Sequence, residues 1–129
     1  MTERLFHVAA APFEAARRVS ILPEGHRSRR LHGHGFEVIL HADQDLGAGD
    51  MGVDFDHLGA IWAPLHHELD HACLNDLPRL DETDPASLAL WMREEITGQL
   101  PQLERIDLHE TPGCGAVLCW GDLGPALPT

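Results

Sequence analysis

Between residues 31 and 42 the chain alternates with a period of two, so that His32, His34, Phe36, Val38 and Leu40 fall on one face of an extended segment. A strand with one apolar face is stable only inside a sheet whose face is covered by another layer. The rest of the chain must supply both that sheet and that layer.

Two helical segments follow. Leu58, Ile61, Trp62, Leu65 and Leu69 recur at helical spacing behind a capping Asp54 or Asp56. Asn75, Pro78 and the acidic pair Asp81-Glu82 end that helix. Asp84-Pro85 opens the second one, with a side-chain acceptor at the cap and a residue of preset φ at the first helical position. Its apolar side is Leu88, Trp91 or Met92, Ile96 and Leu100, and Pro101 closes it. Strand-like alternation returns near 103–111, where Ile106, Leu108 and Glu110 share a face. Pro112-Gly113-Cys114-Gly115 reads as a turn, and Ala116 to Trp120 as a last strand. Residues near 3–12 form a candidate first strand. Residues 13–30, with Pro23, Gly25 and clustered arginines, read as an irregular connection, and Gly47, Gly49 and Gly52 mark another turn.

The order is strand, strand, helix, helix, strand, strand. That predicts an α+β fold: a four-stranded antiparallel sheet with two helices on one face. The chain is read as a single domain over residues 1–123 with a loose tail over 124–129. The second face of the sheet needs cover too, and self-association is the simplest source.

Charge narrows the function. Twenty-one acidic residues stand against nine basic ones among 129, for a formal net charge of −12. Such a chain lacks the clustered cations that bind a phosphate backbone or an anionic bilayer, so neither nucleic acid nor membrane is an expected partner. No stretch approaches the roughly 18–20 apolar residues that span a membrane. Met1 to Ala10 lacks the layout of a signal peptide, and a cytoplasmic protein is expected. The three cysteines, Cys73, Cys114 and Cys119, suggest neither a disulfide framework nor a zinc ribbon.

Several short constellations could carry chemistry. His32-Gly33-His34 directs two imidazoles the same way from one strand, an arrangement that can hold zinc, although a catalytic zinc usually takes three protein ligands. His67-Glu68-Leu69-Asp70-His71 fits the H-E-x-x-H pattern of zinc proteases; the competing reading is a solvated polar face opposite Leu65 and Leu69. Within it, Asp70 beside His71 can orient an imidazole and stabilise its cation for acid–base work. Glu110-Thr111 ends a strand, where a carboxylate could grip the donors of a guanidine-like ring edge, with Ile106 and Leu108 helping to wall a flat ring. Arg17, Arg18, Arg27, Arg29 and Arg30 gather five of the nine basic residues in one segment, either as a solvated face or as an anion site.

Taken in order, Phe13-Glu14-Ala15-Ala16, Pro23-Glu24-Gly25-His26, Leu31-His32-Gly33-His34, Gly52-Val53-Asp54-Phe55, Leu69-Asp70-His71, Leu74-Asn75-Asp76 and Glu110-Thr111 resemble the 6-pyruvoyl-tetrahydropterin synthase and 6-carboxy-tetrahydropterin synthase family. The resemblance implies the two-hairpin, two-helix T-fold and a hexamer of two trimeric rings with sites at subunit interfaces. It also implies that His32 and His34 are two of three zinc ligands, that Asp70 and His71 are the catalytic proton-transfer pair, and that Glu110 grips a pterin. The family's reaction is the loss of triphosphate from dihydroneopterin triphosphate.

The departures are specific. Arg17 stands where the family has its third zinc histidine, and Ser28 where it has its general-base cysteine. Thr83-Asp84-Pro85-Ala86 does not match the family's P-T-x-E segment. A guanidinium has no lone pair for a metal, and a serine hydroxyl is far less acidic than a thiol of pKa about 8.5. The set is therefore incomplete: tight zinc is not expected, and no cofactor is. The expected function is binding of a pterin-like ligand through Glu110 without the family's zinc-dependent reaction, with Arg17 and Ser28 lining the substrate site and the guanidinium taking an anionic or oxygen-rich substituent. The alternatives are an active 6-carboxy-tetrahydropterin synthase whose zinc site is completed by another residue such as His26, and a structural partner in a pterin pathway.

Overall fold

The computed structural model describes residues 4–45, 55–111 and 114–120. The turn expected at Gly47 to Gly52, the cap at Asp54, the Pro112-Gly113 turn and the tail over 124–129 lie outside these residues. Four strands, β1 (Arg4–Arg17), β2 (His32–Asp45), β3 (Leu103–Thr111) and β4 (Cys114–Cys119), form one antiparallel sheet in the order β1-β2-β3-β4. Between β2 and β3 the chain forms two helices, α1 (Phe55–Leu69) and α2 (Pro85–Thr97). The expected order and layering are therefore present.

One face of the sheet and the inner sides of the helices form the core. Phe36, Val38, Leu40 and Ala42 of β2 meet Ile106 and Leu108 of β3 on that face, as the two-residue period requires. Leu58, Ile61, Trp62, Leu65 and Leu69 of α1 and Leu88, Trp91, Met92 and Ile96 of α2 cover them. Asp84 caps α2, its carboxylate accepting from the Ser87 amide at 3.2 Å and the Ser87 hydroxyl at 2.6 Å.

Several boundaries differ from expectation: β2 runs on to Asp45, and α2 ends at Thr97 rather than at Leu100. β1 does not stop near residue 12: Phe13, Ala15 and Arg17 continue its helix-facing side, opposite Phe36, His34 and His32. The irregular connection begins only after Arg17 and includes a 3₁₀ turn at Arg27–Arg29. α1 ends at Leu69, because His71 takes a left-handed backbone with φ 60°. The last strand starts at Cys114, two positions before Ala116, through its pairing with Thr111.

The opposite face of the sheet is closed in part by polar side chains. His41, Arg105 and Asp107 are buried there. Arg105 Nε donates to Asp107 Oδ1 at 2.7 Å and its Nη2 to Oδ2 at 3.2 Å, while His41 Nε2 lies 3.2 Å from Oδ2. Among the described residues no helix is long and apolar enough to cross a membrane.

Candidate functional site

The segment after α1 is docked along the outer edge of β1. The His71 amide donates to the Glu14 carbonyl at 2.6 Å, the Ala16 amide to the Ala72 carbonyl at 2.9 Å, and Ala16 bridges Cys73 in parallel. The Glu14 amide is the exception in this ladder: it donates to Asp70 Oδ1 at 3.0 Å. A carboxylate thus replaces a backbone acceptor, and an amide that the strand edge would leave unpaired is satisfied.

That bond also sets the charge of Asp70. The Glu14 amide, foremost, holds its carboxyl below the usual carboxylate range; desolvation opposes it, and the imidazoles of His71 and His66 each add a smaller lowering. Its second oxygen lies 3.0 Å from His71 Nδ1, and the His71 ring is 79% exposed. The pair is an anchored carboxylate orienting an accessible imidazole, which is the geometry acid–base work needs.

Two grooves flank this pair. One, of about 550 Å³, is lined among others by Phe13, Glu14, Phe36, Asp70 and Glu110. The other, of about 560 Å³, is lined by His34, His71, Cys73 and neighbouring backbone. They share Glu14 and Gly35. The structure therefore places Asp70 and Glu110 on one groove and His34 and His71 on the adjoining one. Ile106 and Leu108 do not wall it. Both lie fully buried under the helices, since they sit farther along the sheet face than Glu110. The apolar wall is Phe13 stacked on Phe36, ring centroids 4.8 Å apart and planes 13° apart. Phe36 was legible from its alternation with His34; the stacking partner across the ladder was not.

Arg17 is only 4% exposed and lines neither groove. Its Nη1 donates to the Thr83 carbonyl at 2.7 Å, its Nη2 forms an ion pair with Glu110 Oε1, and its Cζ lies 5.1 Å from the centre of the Phe36 ring. Its Nε has no hydrogen-bond partner among the described residues. Neither the Glu110 contact nor the Thr83 contact had a local signal in the sequence. Arg18, Arg27, Arg29 and Arg30 are exposed, and Arg29 is occupied by the carbonyls of Ser20 and Leu22. The five arginines therefore do not act as one patch.

His32 and His34 each have Nδ1 at 2.7 Å from a carbonyl, of Arg30 and Gly35 respectively, which assigns the proton to Nδ1 and the lone pair to Nε2. Among the described residues no three His, Cys, Asp or Glu side chains gather as a metal-ligand set. Ser28 sits half-buried on the 3₁₀ turn, with its amide on His26 Nδ1 at 3.1 Å and its carbonyl accepting from Val19; it lines neither groove. That bond occupies one nitrogen of His26, which caps the turn from an exposed position.

Residues 8–119 match the family described as 6-pyruvoyl tetrahydropterin synthase. Among solved structures, the chain is similar to 6-pyruvoyl tetrahydropterin synthase of Caenorhabditis elegans, with a TM-score of 0.79 at 15% identity over 93% of this chain and 98% of that one. It is also similar to the Plasmodium falciparum enzyme of the same name, with a TM-score of 0.69 at 14% identity over 89% and 96%. An uncharacterised protein of Wolinella succinogenes matches with a TM-score of 0.69 at 19% identity over 93% and 100%.

Proposed function

Because the chain belongs to the 6-pyruvoyl tetrahydropterin synthase family, we propose that it binds a pterin-like ring through Glu110 and does not run the family's zinc-dependent reaction. The observation that carries the first half is Glu110 on the wall of a groove whose apolar side is the Phe13–Phe36 stack. A carboxylate beside aromatic surface suits a flat heterocycle with a pair of ring donors: the acceptor fixes the edge, and the apolar wall takes the face.

The second half rests on the donor set. His32 and His34 each offer an Nε2 lone pair, but the third position holds a guanidinium with none, and that guanidinium is engaged by Thr83 and Glu110. These residues do not fit a three-histidine zinc centre, so no step is routed through a metal. Ser28 adds no thiolate. Asp70 and His71 remain able to hold and move a proton beside the bound ring, with the Glu14 amide keeping the carboxylate ionised. The setting proposed is a cytoplasmic homo-oligomer, a hexamer by family likeness, with no nucleic-acid or membrane partner.

Calorimetric titration with neopterin or biopterin tests the reading on wild type and Glu110→Gln. Exchanging one acceptor for a donor leaves ligand donors unpaired, at a cost of about 1.5–3 kcal/mol for a hydrogen bond to a charged group. That is roughly a ten- to hundredfold loss of affinity. Absence of binding to wild type, or equal binding by both proteins, overturns the reading.

A further inference from the structure

We propose that Arg17 is a positioning residue that acts on the ligand only through Glu110. The inference rests on the reading that Glu110 is the ligand anchor, and it assigns Arg17 a different task from direct contact with a substituent.

The guanidinium is held on three sides. Thr83, itself buried, presents its carbonyl from the segment before α2, 2.7 Å from Nη1. The Phe36 ring lies against the guanidinium carbon at 5.1 Å. Glu110 takes Nη2 through Oε1. Of these partners Phe36 and Glu110 line the ligand groove, while Arg17 does not. A ligand in the groove therefore meets the carboxylate and the ring, with the cation behind them.

The charge balance explains why such a residue is needed. Glu110 has 21% of its side chain exposed, so most of that side chain has left water. An ion partly removed from water requires a partner, and a fork-shaped cation supplies one with fixed direction. Arg17 bonds Oε1, so Glu110 is held in one rotamer with Oε2 remaining for donors in the groove. The residue that occupies the third metal-ligand position of the family thus links that position to the pterin anchor, from β1 to β3 across β2.

A double-mutant cycle on neopterin affinity decides it, read by NMR titration so that millimolar dissociation constants remain measurable. Arg17→Met is expected to weaken neopterin about 5- to 50-fold, within the coupling range of residues that share one ion pair. In a Glu110→Ala background the same substitution is expected to change affinity less than about twofold, because the residue it acts through is gone. Arg17→Lys keeps the charge but cannot fork to both Thr83 and Glu110, and is expected to restore part of the loss; its cycle with Glu110→Ala carries the same decision if Arg17→Met does not fold. Additive losses in the cycle, or wild-type affinity in both Arg17 variants, overturn this inference and leave Glu110 as anchor. No binding of neopterin by wild type overturns the anchor and this inference together.

Discussion

Arg17 stands opposite His32 in the β1–β2 ladder, yet the two side chains have different partners: His32 faces the Arg30 carbonyl through Nδ1, and Arg17 pairs with Glu110. Neighbours in the ladder that would share a metal in the family are here tied into two separate sets of hydrogen bonds. The first prediction follows. Elemental analysis of protein purified without chelator is expected to find zinc well below one ion per chain. Arg17→His is expected to raise zinc affinity, because it adds the missing lone pair beside His32 and His34. One tightly held zinc per wild-type chain would show that other donors complete the set.

Turnover of dihydroneopterin triphosphate is expected to be very slow or undetectable. The family reaction needs a thiolate where this chain has Ser28, and Ser28 lines neither groove. Product analysis after prolonged incubation measures this. Turnover equal to that of an intact family member would mean that neither substitution limits the chemistry.

Self-association is expected, with the hexamer as the main species. β4 is an edge of the sheet, and Val117 on it is 43% exposed, so backbone pairing groups and apolar surface are both available to a second copy. Light scattering at micromolar concentration checks the mass. A monomer there would contradict the proposed assembly.

Stability is expected to fall in mild acid through His41. Burial holds its imidazole below 6.5, against the opposing attraction of Asp107. The unfolded chain then takes up a proton at a higher pH than the folded one. The contribution is complete above about pH 6.5 and is lost as pH falls toward the lower folded value. His41→Gln keeps a side-chain donor for Asp107 and removes the titration. Denaturant unfolding at several pH values between about 7.5 and 5 should show a shallower pH dependence for this variant than for wild type. Identical slopes would exclude His41 as the source.

The sequence by itself determined the order of the elements and the buried sides of β2 and the two helices, but not the end of β1. The alternation of His32 to Leu40 assigned β2 and its buried side, because the pleat is a local property of an extended chain. Asp84-Pro85 placed the start of α2 for an equally local reason, the unpaired amides of a helix's first turn. The adjacency of Asp70 and His71 survived folding as a hydrogen-bonded pair. Tertiary structure decided which side chains meet. Arg17 finds Glu110 across 93 positions of sequence, and Glu14 finds Asp70 across 56. Periodicity assigns a residue to a face, but its partner there depends on which distant segment lies alongside. The buried group of His41, Arg105 and Asp107 has the same origin: Arg105 and Asp107 share a strand, but His41 joins them only because β2 and β3 pair in that register. Had β1 or β3 paired with β2 two residues out of this register, the same alternating residues would have kept their faces, and Arg17 would have met a different partner.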